Sequence, residues 1–142
     1  MFVKVCCIAS IDEARLAVSA GASAIGLVSA MPSGPGPIAE ELIAEIAARV
    51  PAPTETFLLT SLRDAEAIAE QHRRCGTTAL QLVDHVPEPE LKRLRRLAPG
   101  VRLVQVNDVV GPAAVDEASA AAARVGHAGV DGMRGGGCGG FD

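Results

Sequence analysis

The sequence has no tryptophan, no tyrosine and only three phenylalanines in 142 residues. That scarcity excludes the aromatic stacking platforms that hold single-stranded nucleic acid, and it leaves the core to Ala, Val, Leu and Ile. Positive charge is also sparse. The net charge is −4, and the one short basic cluster, Lys92, Arg93, Arg95 and Arg96, reads as the solvated face of a helix rather than a phosphate-backbone site. Nucleic acid is not an expected partner. No apolar run approaches the roughly 18 residues of a membrane span, and the N-terminus has no basic region leading into such a run. The expectation is a cytoplasmic protein with no membrane contact. With no export signal, the four cysteines (Cys6, Cys7, Cys75, Cys138) read as free thiols. His72, His85 and His127 show no metal-ligand spacing with them, so neither a metal nor another cofactor is expected.

What is present is alternation. Hydrophobic residues make up 49% of the chain and charged residues 21%, ordinary for one globular core of this length. "VKVCCI" (3–8) predicts a strand. Ser10 with Glu13 forms a capping-box pattern before a helix striped by Ala14, Ala17 and Val18, which Gly21 ends. "ASAIGLVSA" (22–30) is a nearly continuous apolar strand, as expected where both faces are covered. After "SGPGP" (33–37), Pro37 opens a helix striped by Leu42, Ile43, Ile46, Ala47 and Val50. Strands at 54–60, 78–83 and 101–106 alternate with helices at Ser61–Cys75, Pro87–Leu97 and Pro112–Arg124, and "HAGVD" (127–131) is a weak sixth strand. Ser61–Cys75 carries Ala65, Ile68, Ala69 and His72 on one face, and Pro87–Leu97 is striped by Leu91, Leu94 and Leu97.

Five to six βα units in strict alternation mean a parallel α/β sheet wrapped by helices. An open doubly wound sheet and a (β/α)8 barrel both fit. A dinucleotide-binding sheet calls for G-x-G-x-x-G after the first strand, where this chain has "CIASIDEA". The expected organisation is a partial barrel domain over 1–131, followed by a glycine-rich tail over 132–142.

Side-chain alternation sorts the first strand. Lys4, Cys6 and Ile8 share one face, and Val3, Val5 and Cys7 share the other. The apolar triplet suits the side under the helices. Cys6 then points toward the barrel axis near the C-terminal end of the strand, where barrel enzymes place their chemistry, and Cys7 is core filler. Thr60, Ser61, Asp84, Asn107 and Asp108 also end strands, each read singly as a cap or loop residue.

The first strand and the repeat together resemble phosphoribosylanthranilate isomerase, a TIM-barrel-type, (β/α)8 enzyme of tryptophan biosynthesis. The family's opening K-[IV]-C-G-I-[TK] corresponds to "KVCCIAS" (4–10), and its "AGADAIGFVF" to "AGASAIGLVS" (20–29). Its "VQLHG" corresponds to "LQLVD" (80–84), and its glycine motif "GGTGKTFDW" falls within "DGMRGGGCGGFD" (131–142). The resemblance implies an Amadori rearrangement of N-(5-phosphoribosyl)anthranilate with no cofactor, in which an aminoaldose becomes an aminoketose. It implies Cys6 as the general base and Asp131 as the general acid. It further implies Gln81 and the backbone of Gly135 and Gly136 as contacts to a sugar-phosphate substrate. Three departures stand out. The loop after strand 2, "PSGPGPI" (32–38), has no basic residue where the family carries Ser-x-Arg; Val83 stands at the family's His; and Cys138, Gly139 and Gly140 replace Gly-Lys-Thr. A complete barrel takes roughly 250 residues, so the expectation is a shortened, catalytically impaired member. The rival reading is an inactive barrel-derived binding or assembly module, and a third is an open-sheet domain for another phosphorylated small molecule. Two apolar sheet edges predict a homo-oligomer.

Overall fold

The computed structural model describes residues 1–32, 34, 36–108 and 128–131, with side chains through Val106. Six parallel strands form one sheet in the order of the chain: β1 (Lys4–Val5), β2 (Ala24–Val28), β3 (Glu55–Thr60), β4 (Ala79–Leu82), β5 (Arg102–Asp108) and β6 (Ala128–Asp131). Four helices connect the first five strands: α1 (Ile11–Ser19), α2 (Glu40–Arg49), α3 (Ala65–Cys75) and α4 (Glu88–Leu97). The predicted helix Pro112–Arg124 and the glycine-rich tail, with Gly135, Gly136 and Cys138, lie outside the described residues, as does His127.

Strand order decides between the two predicted architectures. Parallel crossovers are right-handed. When every crossover moves one strand in the same direction, all helices fall on one face. A doubly wound sheet needs a reversal of order, and this sheet has none. In agreement, α1, α2, α3 and α4 pack side by side, each on the next. The result is an arc of the barrel type.

The sheet residues sort by parity. Ile25, Leu27, Leu58, Leu80, Leu82 and Leu103 face the helices and pack with Ile43, Ile46, Ile68 and Leu94 in the main core. Complete burial of each such side chain contributes about 1.5–3 kcal/mol. Opposite parity puts Ala24, Val28, Phe57, Leu59, Ala79 and Val83 in a second, smaller cluster on the concave face. Polar ties fix the helix layer. The Arg74 guanidinium donates to both carboxylate oxygens of Glu40 at 2.8 and 3.2 Å, joining α3 to α2 and holding the Glu40 carboxyl below its usual range. Arg93 pairs with Glu66 across α3 and α4, and Lys92 pairs with Glu88, so the basic cluster does include a solvated helix face.

Local signals explain most element ends. The Ser10 hydroxyl accepts from the Glu13 amide at 3.1 Å while the Glu13 carboxylate accepts from the Ala9 amide at 2.7 Å, the reciprocal arrangement expected from the sequence. Asp64 caps α3 by accepting from the Ala67 amide at 2.9 Å, so that helix starts four residues later than predicted. Pro37 does not open α2. It bridges to Val28, and the Ile38 amide donates to the Val28 carbonyl at 2.9 Å, which keeps the segment extended until Glu40. Leu97 closes α4 exposed rather than buried.

Candidate active site

The first strand departs most from expectation. It spans Lys4–Val5 instead of 3–8. Cys7 has φ 57°, in the left-handed region that an L residue other than Asn or Asp seldom enters, and an extended strand cannot continue through it. The chain turns there and returns to the sheet, where the Ile8 amide donates to the Gly26 carbonyl at 3.2 Å. Alternation therefore stops at Cys6. Ile8, expected beside Lys4 and Cys6, packs into the helix-side core. Cys7, expected under the helices, packs with Cys6 against the concave cluster.

Two glycines make room for the two sulfurs. A Cβ on Gly26 would stand 2.7 Å from Cys6 Sγ, and one on Gly36 would stand 2.9 Å from Cys7 Sγ. Cys6 thus lies against β2, while Cys7 lies under the β2–α2 loop. Both cysteines are disulfide-bonded, which corrects the expectation of free thiols, whereas Cys75 is free and buried. An extended strand would put positions 6 and 7 on opposite faces, and the turn at Cys7 removes that separation.

Deeper along the concave face, Lys4 Nζ donates to Gln81 Oε1 and sits 5.0 Å from the centroid of the Phe57 ring. The structure therefore brings Lys4 and Gln81 together across the arc. At the N-terminal end of the sheet the Arg102 guanidinium donates to Glu55 at 2.9 Å. At the opposite end, Asp131 closes β6 and stands in register with Asp108 of β5. Cys6, just past β1, and Asp131 are thus both at C-terminal strand ends of one sheet, five strands apart. That is where a parallel arc presents polar groups to a ligand.

Thr60 and Ser29, also at strand ends, hold backbone groups. The Thr60 hydroxyl accepts from the Leu62 amide at 3.2 Å. The wholly buried Ser29 hydroxyl donates to the Leu59 carbonyl at 2.7 Å. Sequence reasoning missed Gln105, which is 2% exposed. Its Nε2 donates to the carbonyls of Leu82, Asp84 and Val106 at 3.1, 2.9 and 3.1 Å, and its Oε1 accepts from the Val86 amide at 3.4 Å, so one side chain holds the loop after β4. A lone Gln in the apolar run "LVQV" (103–106) was the available signal. Among the described residues no cluster of His, Cys, Asp and Glu is placed to hold a metal ion, and no helix is long and apolar enough to cross a membrane.

No protein-family profile matches the chain. Two curated proteins are similar in sequence. N-(5'-phosphoribosyl)anthranilate isomerase 2 of Methanosarcina mazei is 29% identical over 116 residues, covering 81% of this chain and 51% of that protein. N-(5'-phosphoribosyl)anthranilate isomerase of a Synechococcus species is 30% identical over 112 residues, covering 79% of this chain and 48% of that protein. The chain therefore spans about half the length of the curated relatives it matches. Among solved structures, phosphoribosylanthranilate isomerase of Thermotoga maritima superposes with a TM-score of 0.82 at 19% identity, covering 98% of this chain and 66% of that one. The Pyrococcus furiosus enzyme gives 0.77 at 22% identity, covering 92% and 66%. The structural likeness shows the fold, a barrel-type arc, and the sequence likeness carries the relationship: this chain is related to the phosphoribosylanthranilate isomerases over about half of their length.

Proposed function

We propose that the chain carries the Cys6–Asp131 part of an isomerase site for N-(5-phosphoribosyl)anthranilate, acting in tryptophan biosynthesis in the cytoplasm. The observation that supports this reading best is the position of Cys6. It lies just beyond β1, on the concave face, at the strand end shared with Asp131. In the proposed reaction Asp131 protonates the ribose ring oxygen, and the ring opens to a Schiff base. Cys6 then removes the proton from C2′, and the resulting enolamine settles as the aminoketose. A thiol acts as a base only as its thiolate, so the disulfide-bonded state is silent and the reaction belongs to the reduced protein. Gln81, held by Lys4, borders the same face and is proposed as a substrate contact. Gly135 and Gly136 are proposed, through the resemblance alone, as backbone donors to the phosphate. A solved phosphoribosylanthranilate isomerase in complex with a reduced carboxyphenylamino-deoxyribulose 5-phosphate supports a sugar phosphate as the ligand class. Residues 1–131 form the barrel domain in this reading and 132–142 its tail, and the chain self-associates.

The decisive assay mixes the reduced chain with a separately produced fragment carrying the remaining βα units of the Methanosarcina relative. Little or no turnover of phosphoribosylanthranilate is expected from the chain alone, because binding energy from remote substrate groups orients the reacting centre. Turnover is expected in the complex, and its loss in Cys6→Ala and in Asp131→Asn. A complex that co-elutes yet shows no isomerase activity, or activity indifferent to Cys6→Ala, overturns the proposal in favour of an inactive assembly module.

A further inference from the structure

We propose that Cys6 and Cys7 are bonded to each other, and that this reversible disulfide between neighbours withdraws Cys6 from its thiolate state. The regulatory consequence rests on the isomerase reading; the bond does not. Both residues are disulfide-bonded and Cys75 is free. The sequence holds one further cysteine, Cys138, and a single sulfur satisfies only one of the two. The pairing consistent with both being bonded is Cys6 with Cys7.

The backbone is shaped for this pairing. In a regular strand the two side chains diverge. Here φ of Cys7 is 57°, and the turn brings Cys7 Sγ to the side of Cys6, where both contact the concave cluster. The isomerase pattern that the sequence resembles has glycine at the position of Cys7, a residue that adopts this φ freely. Cysteine there keeps the turn and adds a second sulfur beside the proposed base. Such a bond is easily reversed. Consecutive Cα atoms stand about 3.8 Å apart across a trans peptide, below the roughly 4.4–6.8 Å usual for a disulfide, and bridges outside that range are more reducible.

The chemistry balances with a small-molecule disulfide as oxidant. Cys6 thiolate attacks one sulfur of oxidised glutathione, which forms a mixed disulfide and releases one glutathione thiolate. Cys7 thiolate then attacks Cys6 Sγ, closing the Cys6–Cys7 bond and releasing the second. The two cysteines lose two electrons and two protons, and glutathione disulfide becomes two thiols. Excess reduced glutathione runs the sequence backwards. Gly36 lies against Cys7 Sγ, so the oxidised pair also abuts the β2–α2 loop.

Trypsin reads the pairing directly. Cleavage after Lys4 and Arg15 gives peptide 5–15, which holds Cys6 and Cys7 and no other cysteine; cleavage after Arg134 gives peptide 135–142 with Cys138. The full chain is equilibrated in glutathione buffers from reducing to oxidising, quenched with acid and a maleimide under denaturing conditions, and digested. The expected result is that both labels on peptide 5–15 disappear together as the buffer becomes oxidising, leaving that peptide uncrosslinked and lighter by two hydrogen atoms. Both labels return on reduction. In Cys7→Gly, which suits the backbone, Cys6 no longer loses its label to an internal bond and ends as a mixed disulfide with glutathione. Peptide 5–15 crosslinked to 135–142, or doubly labelled in every buffer, overturns the proposal. Isomerase activity is read separately on the reduced protein, so its absence removes the proposed function without touching the bond.

Discussion

Gly26→Ala tests how tightly β1 is held against β2. Gly26 has an ordinary negative-φ backbone, so alanine meets no conformational penalty there. Space is the obstacle. The new methyl would stand 2.7 Å from Cys6 Sγ, 3.2 Å from Cys6 Cα and 3.3 Å from a Leu59 methyl. The sulfur and the methyl can swing aside, but a Cα moves only with its backbone. Overpacking of this kind costs about 1–3 kcal/mol, and replacing glycine returns about 0.4–1 kcal/mol through the unfolded state. A net loss of about 1–2 kcal/mol follows, or roughly 3–8 °C in Tm for a chain of this size. The strain has an outlet. β1 is joined to β2 by two register pairs, Lys4 with Ala24 and Val5 with Ile25, and by the Ile8 amide on the Gly26 carbonyl. Displacement of β1 is therefore the expected response, seen as faster hydrogen exchange of the Ile8 amide in reduced protein and confirmed by urea titration. Wild-type stability together with an unchanged Ile8 amide would refute the close packing of Cys6 on Gly26.

Gln105→Leu keeps the volume near constant but strands the buried Val86 amide and takes the buried donor from the carbonyls of Leu82 and Val106. Buried groups left unpaired cost about 1–3 kcal/mol each, so urea titration should show a loss of at least about 2 kcal/mol; a loss under about 0.5 kcal/mol contradicts the described hydrogen bonds. Burial pushes the Cys75 thiol from the ordinary 9.0 up to about 11, so the folded thiol holds its proton where the unfolded one has lost it. The folded state then binds more protons, and stability falls as pH rises from 9 toward 11. The decline should be shallower in Cys75→Val, and equal slopes would contradict it. The β1 edge leaves Met1, Phe2, Val3 and Val5 exposed, and exposed apolar edges pair. Sedimentation across a dilution series should show dimers or larger species that dissociate on dilution and weaken in Val3→Lys, whereas a monomer at all concentrations refutes self-association through this edge.

The parallel alternation was legible because every strand but the last is a compact apolar run and every described helix carries a periodic stripe. Even "HAGVD", the weakest run, supplies β6 over Ala128–Asp131. The choice of a barrel-type arc over a doubly wound sheet was not legible from propensity, since the two differ in strand order and not in local pattern. The resemblance supplied it. The placing of Cys7 failed because period-2 reasoning presumes an extended backbone, and no feature of "VCCIAS" announces a left-handed residue. Lys4 and Gln81, 77 residues apart, meet only because β1 and β4 are joined through two intervening strands. Gln105 escaped because a buried polar residue is recognised by its partners, and those are backbone groups in another loop.

The monotonic strand order also sets how the sheet assembles. Each strand pairs with the one before it, Ala24 with Glu55, Phe57 with Ala79, Ala79 with Arg102, so no ladder among the described residues waits for distant ends of the chain to meet. Short loop closures of this kind favour rapid docking, one unit upon its neighbour. The centre, β2 through β5, is locked by long ladders and by helices on its back. Among the described strands β1 has one neighbour and the shortest ladder. It opens at lower free energy than the centre, as lightly secured edges do. Cys6 and Cys7 therefore ride on the segment that detaches first, and small thiols and disulfides gain access to them without the rest of the sheet coming apart.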